Sequence, residues 1–236
     1  VFEANDHVGG HSHTHDIEWH GQQYAVDTGF IVFNYKTYPH FTRLLNELDV
    51  AVQPTNMSFS VKCERNGLEY NGNTLNTMFA QRRNLFNPSF YRMIKDILRF
   101  NREAPELLEL NDATLSLGEF LQRNRYGREF IEQYLVPMGA AIWSADPKQM
   151  YEFPAGFFIR FFHNHGLLSV NQRPQWHVIS GGSREYVRKL TAPCADRIRT
   201  RAPIELITRH ATHVNIKVRG AEVEKFDQIF IATHSD

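Results

Sequence analysis

The chain has 236 residues, 26 basic and 26 acidic, with 42% apolar and 13% aromatic side chains, enough for the packed core of one large domain or two small ones. A formal net charge of zero removes the electrostatic case for nucleic acid or an anionic membrane surface as partner. Cys63 and Cys194 stand 131 positions apart with no CxxC spacing, which excludes a disulfide framework and a cysteine zinc site and points to a reducing, cytoplasmic compartment, and no apolar run approaches the ~18 residues of a membrane span.

The chain opens Val1-Phe2-Glu3-Ala4, like the end of a buried strand, and closes on the apolar, β-branched stretch 226–233. Natural domains rarely begin and end inside core strands, so it reads as an interior piece of a longer protein. Residues 14–19 and 23–26 alternate around His20-Gly21, a hairpin. Phe41, Leu44, Leu45 and Leu48 mark one helix face over 37–48, and 57–71 reads as a second hairpin turning at Asn66-Gly67. Asn87-Pro88 is a helix cap with proline at the first helical position. A helix follows, breaking at Pro105. Ser116-Leu117-Gly118-Glu119 is a capping box, and a helix over 128–135 should stop before Pro137. Residues 154–168 are rich in Phe and 184–192 form a short helix. Strands return at 204–208, 214–218 and 228–232. The fold class is α/β (α+β): a sheet domain, 1–73 and 171–236, interrupted by a helical, substrate-facing subdomain, 74–170.

Chemistry concentrates at the start, V-F-E-A-N-D-H-V-G-G-H-S-H-T. In a dinucleotide-binding βαβ unit, an acid ending the second strand accepts the ribose hydroxyls. Glu3 follows an apolar pair as that role requires, and Gly9-Gly10, lacking Cβ atoms, let backbone N–H groups approach a pyrophosphate. No G-x-G-x-x-G occurs among the fourteen glycines, so on this reading the glycine loop precedes residue 1. His11, His13 and His15 alternate, but same-face strand residues stand ~7 Å apart, too wide for three ligands on one ion, and no metal is expected. The cluster Arg184, Arg188, Lys189, Arg197, Arg199 and Arg201 reads as a solvated face. G-x-S-x-G, H-E-x-x-H and P-loop patterns are absent, which leaves hydrolase, zinc protease and NTPase readings without support.

E-A-N-x-x-V-G-G-H-x-x-T resembles the segment that follows the Rossmann unit in FAD-dependent amine oxidases and carotenoid-desaturase-like flavoproteins, with His11 where Arg is common. The His form is similar to a branch described as predicted NAD/FAD-binding proteins associated with cyclopropane-fatty-acid synthases. Val26-Asp27-Thr28-Gly29-Phe30, Trp176 to Ser183, Arg201-Ala202-Pro203-Ile204 and Phe226 to Asp236 resemble further superfamily segments in family order. The resemblance implies an FAD-binding Rossmann-like domain lacking its first βα unit. FAD would be held by Glu3, Gly9, Gly10, His11, Gly29, Phe30, Ile204 and Ala232. It implies an oxidoreductase taking a hydride equivalent from an apolar, acyl-lipid substrate, with a small amine, or a non-catalytic partner role beside a lipid-modifying enzyme, as alternatives. Peripheral attachment to a membrane goes with the lipid reading. Trp143, Phe158 and His165 are the candidate substrate residues, against a plain reading of the same aromatic helix as core.

Overall fold

A computed structural model describes residues 1–110, 114–169 and 174–233. The chain divides into two compact units, one of Val1–Val32, His40–Gln53 and His177–Asp236, the other of Phe33–Pro39 and Pro54–Trp176. The hairpin of 57–71, expected in the sheet part, therefore falls in the second unit.

In the first unit the expected hairpin forms from Thr14–Trp19 and Gln22–Asp27, with Thr14 facing Asp27 across the ladder. His20 (φ 51°) and Gly21 (φ 74°) are both left-handed, the geometry a two-residue turn needs to match strand twist. Val1–Glu3 pairs in parallel with the segment around Arg199: the Arg199 amide donates to the Val1 carbonyl and the Glu3 amide to the Arg199 carbonyl, both at 2.9 Å. Strands Ile204–Arg209, Val214–Val218 and Val223–Phe226 form an antiparallel sheet. Its centre buries Val214, Ile216 and Val218 by simple alternation.

The expected strand at 228–232 does not form. The third strand is Val223–Phe226 instead, and Phe230 and Ile231 stand 92% and 64% exposed. Alternating apolar residues become a strand only where a neighbour accepts the ladder, and among the described residues none lies beside this segment. Ala232 accordingly sits outside regular structure, and the close of the match at 234–236 lies outside the described residues.

The second unit is a helical core. Asn87 caps Pro88–Glu103 by accepting from the Ser89 amide at 3.1 Å, and Phe90, Met93, Ile97 and Phe100 bury one stripe. Pro105 ends that helix in a 3-10 turn, Ala104–Glu106, as expected. The Ser116–Glu119 capping box is formed at both ends. At Pro137 the structure departs from expectation, because the helix continues through it. Ile131–Leu135 takes π geometry between Arg128–Phe130 and Val136–Trp143; the extra residue in the turn accommodates a proline with no N–H to donate. The second hairpin, Ser60–Cys63 with Leu68–Asn71, closes over four residues rather than the two of Asn66-Gly67. Among the described residues no helix is long and apolar enough to cross a membrane.

The aromatic helix is Ala155–Asn164. Phe158 and Phe162 stack at 4.3 Å and are 0% and 1% exposed, so Phe158 is core. Trp143 packs among Phe153, Phe157, Phe158, Phe161 and Phe162. His165 stacks on Phe161 at 3.9 Å; its Nδ1 lies 2.9 Å from the Phe161 carbonyl oxygen and its Nε2 3.3 Å from the Tyr38 hydroxyl. Each is accounted for by packing or hydrogen bonding within its own unit.

Candidate functional site

Three glycine-bearing loops of the first unit meet at the open end of its first hairpin. The Ser12 amide donates to the Gly9 carbonyl at 2.9 Å, the Phe30 amide to the His11 carbonyl at 3.3 Å and the Thr28 amide to the His13 carbonyl at 3.2 Å. The loop 9–13 is thus laced to 28–30. A Cβ on Gly29 would stand 2.0 Å from the His11 carbonyl oxygen, and one on Gly9 (φ 118°) 2.8 Å from the Ser12 oxygen. These glycines are demanded by backbone contact. Gly10 differs. Its φ of 56° is left-handed, yet a Cβ there meets nothing within 4 Å, so its backbone borders open space.

The third loop is tied in by Asp27. Its Oδ1 accepts from the Thr14 hydroxyl at 2.5 Å and the Ser183 hydroxyl at 2.8 Å, and both carboxylate oxygens lie 2.9 Å from the Ser183 amide. Thr14 Oγ1 accepts in turn from the Arg184 amide at 3.0 Å. Helix Arg184–Thr191 therefore begins against a half-buried acid that takes the N-cap Ser183 amide, while Thr14 takes the first helical amide, and the negative charge suits the helix dipole. Ser183 is wholly buried. Gly182 (φ 90°) lets the chain in, since a Cβ would stand 2.4 Å from Thr14 Cγ2. The Ser12 and Tyr186 hydroxyls share a hydrogen bond, and burial raises the Tyr186 phenol above its ordinary value. Rings continue the contact, Tyr186 to Phe41 at 5.2 Å and Phe41 to Phe30 at 5.1 Å.

Of the residues expected from sequence, Gly9, Gly10, His11, Gly29 and Phe30 are brought together here. Glu3 lies along the same chain segment: its Oε1 accepts from the Asn5 amide at 2.8 Å, which orients the half-buried carboxylate, and its carbonyl accepts from the Ala202 amide at 2.8 Å. Ile204, two residues on, starts the three-stranded sheet and pairs with Val218. The basic cluster is largely paired: Arg184 with Asp16 (2.6 Å), Arg188 with Glu185 (3.0 Å) and Arg199 with Glu224 (2.7 Å). The Arg184 guanidinium holds the Asp16 carboxyl below the usual range. Sequence reasoning quoted Asp27 but missed its role as the acid that joins the loops, along with Thr14 and Tyr186. A readable signal was an acid at a strand end together with a Gly-Gly-Ser entering a helix.

His13 packs between two other imidazoles, stacked on His7 at 4.0 Å and tilted against His15 at 4.2 Å. Desolvation, then the neighbouring His7 and His15, lower the His13 imidazole from its ordinary value, with Asp6 opposing weakly. Protons therefore bind the unfolded chain more readily, and this contribution to stability weakens as pH falls through about 6.5. The His13 ring should titrate by NMR below the ordinary histidine midpoint, and His13→Gln should flatten the fall in unfolding midpoint between pH 7.5 and 5.5. An ordinary His13 midpoint would refute it.

The family model described as flavin containing amine oxidoreductase matches residues 1–236. Among solved structures, cyclohexylamine oxidase from Brevibacterium oxydans IH-35A is similar with a TM-score of 0.70 at 17% identity, over 96% of this chain and 50% of that one. Wild-type putrescine oxidase bound to putrescine is similar with a TM-score of 0.63 at 18% identity, over the same shares. The chain thus spans about half the length of the structures it matches. No curated protein sequence matches it significantly.

Proposed function

The chain belongs to the flavin containing amine oxidoreductase family, and from that premise we propose that it helps to hold FAD in an oxidoreductase acting on an amine. The observation that carries this reading is the convergence of 9–11 and 28–30 around the open backbone of Gly10. A pyrophosphate needs such a place, where main-chain N–H groups can be approached without a side chain in the way. Glu3 suits the ribose hydroxyls, its carboxylate already oriented by Asn5. Gly9, Gly10 and His11 would meet the pyrophosphate, Gly29 and Phe30 the flavin end, and Ile204 and Ala232 the remaining edges of the cofactor. The N-terminus of helix Arg184–Thr191 takes no phosphate on this reading, because Asp27 fills it. When bound, the flavin supplies the acceptor for a hydride equivalent from a substrate C–H, and the protein orients it and excludes water.

An amine is favoured over the acyl-lipid. The lipid reading rests on the resemblance to the synthase-associated branch, and the Phe-rich segment adds little to it, since Phe158 and Phe162 are sealed in a core.

The test is FAD binding by the protein that contains this chain, with Gly10→Val as the probe. Wild type should carry flavin absorbance that bleaches anaerobically with an amine. The valine should cut FAD affinity at least about tenfold, while its left-handed strain costs only ~1–2 kcal/mol of stability. A colourless wild type unchanged by added FAD, or undiminished binding by Gly10→Val, would overturn the proposal.

A further inference from the structure

A cavity of about 620 Å³ lies in the helical unit, among residues that take no part in the site above. Its size is that of an ordinary small-molecule site. Arg65 reaches it from the turn of the second hairpin, Arg83 and Asn84 from the 3-10 turn Arg82–Phe86, and Arg128 and Glu132 from the helical run over 128–135. Ser89 stands at its edge in the first turn of the sixteen-residue helix Pro88–Glu103.

The carboxylates in its wall are already matched. Glu132 accepts from Arg65 and from Arg128 Nε, each at 2.7 Å, and both guanidiniums lower its carboxyl below the usual range. Glu129 pairs with Arg92 at 2.5 Å. Arg83 is the exception. It donates only to neutral oxygens, the Gly67 carbonyl and Gln81 Oε1, and among the described residues no carboxylate lies within ion-pair distance of it. Next to it Asn84 is 2% exposed, and its Nδ2 has no hydrogen-bond partner. A buried amide donor without an acceptor is costly. The exposed Arg83 guanidinium, with no carboxylate partner, and the orphaned Asn84 amide are neighbours in the chain and walls of one cavity, and both can donate to one acceptor there.

We propose that this cavity binds a small oxyanion, a carboxylate or a phosphate, with Arg83 supplying the charge and Asn84 Nδ2 the oriented donor. The guanidinium fork suits either anion through paired N–H groups. Arg65 and Arg128, each tied to Glu132, keep that side of the cavity positive. The adjoining start of helix Pro88–Glu103 adds a favourable dipole. This inference stands apart from the cofactor reading, because none of its residues belongs to the loops around Gly10.

The test is calorimetric titration of the protein with inorganic phosphate and, separately, with malonate, at an ionic strength fixed by chloride. At least one anion should bind with one-to-one stoichiometry, and the arm that responds identifies the class. Arg83→Gln should weaken it about tenfold or more. Asn84→Asp, which places a carboxylate where the donor was, should abolish it. Gly10→Val should leave it unchanged. Binding of neither anion to wild type, equal binding to Arg83→Gln, or loss of binding in Gly10→Val instead, would overturn the proposal.

Discussion

Replacing Asp27 with alanine is expected to cost about 3 kcal/mol of stability, in line with a hydrogen-bonded charge whose partners are left buried. The substitution strands the Ser183 amide and leaves the Ser183 and Thr14 hydroxyls, 3.2 Å apart, to bond each other without the acid they both donate to. Ser183 is fully enclosed with Asp27 in place, so its donors lose the partner they are built against. Asp27→Asn keeps the shape but turns an amide group, a donor, toward the Ser183 N–H. It should fall between wild type and alanine, at about 1.5 kcal/mol. Urea denaturation reads both: the midpoint should drop with the slope unchanged. Under the FAD proposal the same variants should also bind flavin more weakly, because Asp27 joins the loop beyond Gly182 to the strand that leads into Gly29. An alanine variant that unfolds at the wild-type midpoint would show the clamp to be inert.

Gly29→Ala should be as damaging, at about 3 kcal/mol, the upper range for overpacking a close contact. The new methyl would stand 2.0 Å from the His11 carbonyl oxygen and 2.8 Å from its carbon. Both neighbours are backbone, so no side chain can swing aside. The loop must separate, and the bond from the Phe30 amide to His11 goes with it. Gly10→Ala makes the matched control, since its Cβ meets nothing and only the left-handed backbone is strained, at ~1 kcal/mol. If the two alanines prove equally mild, the close approach of 29 to 11 does not govern this loop. Thermal or urea midpoints of the pair decide it.

Features that rest on short-range chemistry were legible in the sequence. Asn87-Pro88 specifies a helix start by itself, because asparagine accepts from the second amide and proline gives up a donor nobody needs. Ser116 and Glu119 cap reciprocally within four residues. Gly9-Gly10 stood out as a glycine pair following an acid and Gly29 through the resemblance of its D-x-G stretch; backbone contact demands Gly9 and Gly29, whereas Gly10 borders open space. What failed depended on distant partners. Alternation over 228–232 looks like a strand whether or not a neighbour exists to bond it. Pro137 reads as a stop unless the preceding turn widens to π geometry. Asp27 was visible as part of a D-x-G stretch, but nothing near it in sequence says that its partner is Ser183. The aromatic run of 153–162 is ambiguous for a similar reason: apolar rings suit a channel wall and a core equally, and only the neighbours decide.

The Asp27–Ser183 clamp also has a consequence for synthesis. Its halves are 156 residues apart, and the intervening chain includes all of the other compact unit. At ribosomal rates of about 5–20 residues per second, the first hairpin emerges roughly ten seconds or more before the serine that completes it. During that interval Asp27 and Thr14 have only each other and water to bond, while the helical insert, which wholly precedes Ser183, can already condense on its own. The nascent protein thus passes through a stage with one unit assembled and the other held open. Slow translation of the stretch before residue 177 would lengthen that exposure, and chaperone engagement should concentrate on chains stalled there.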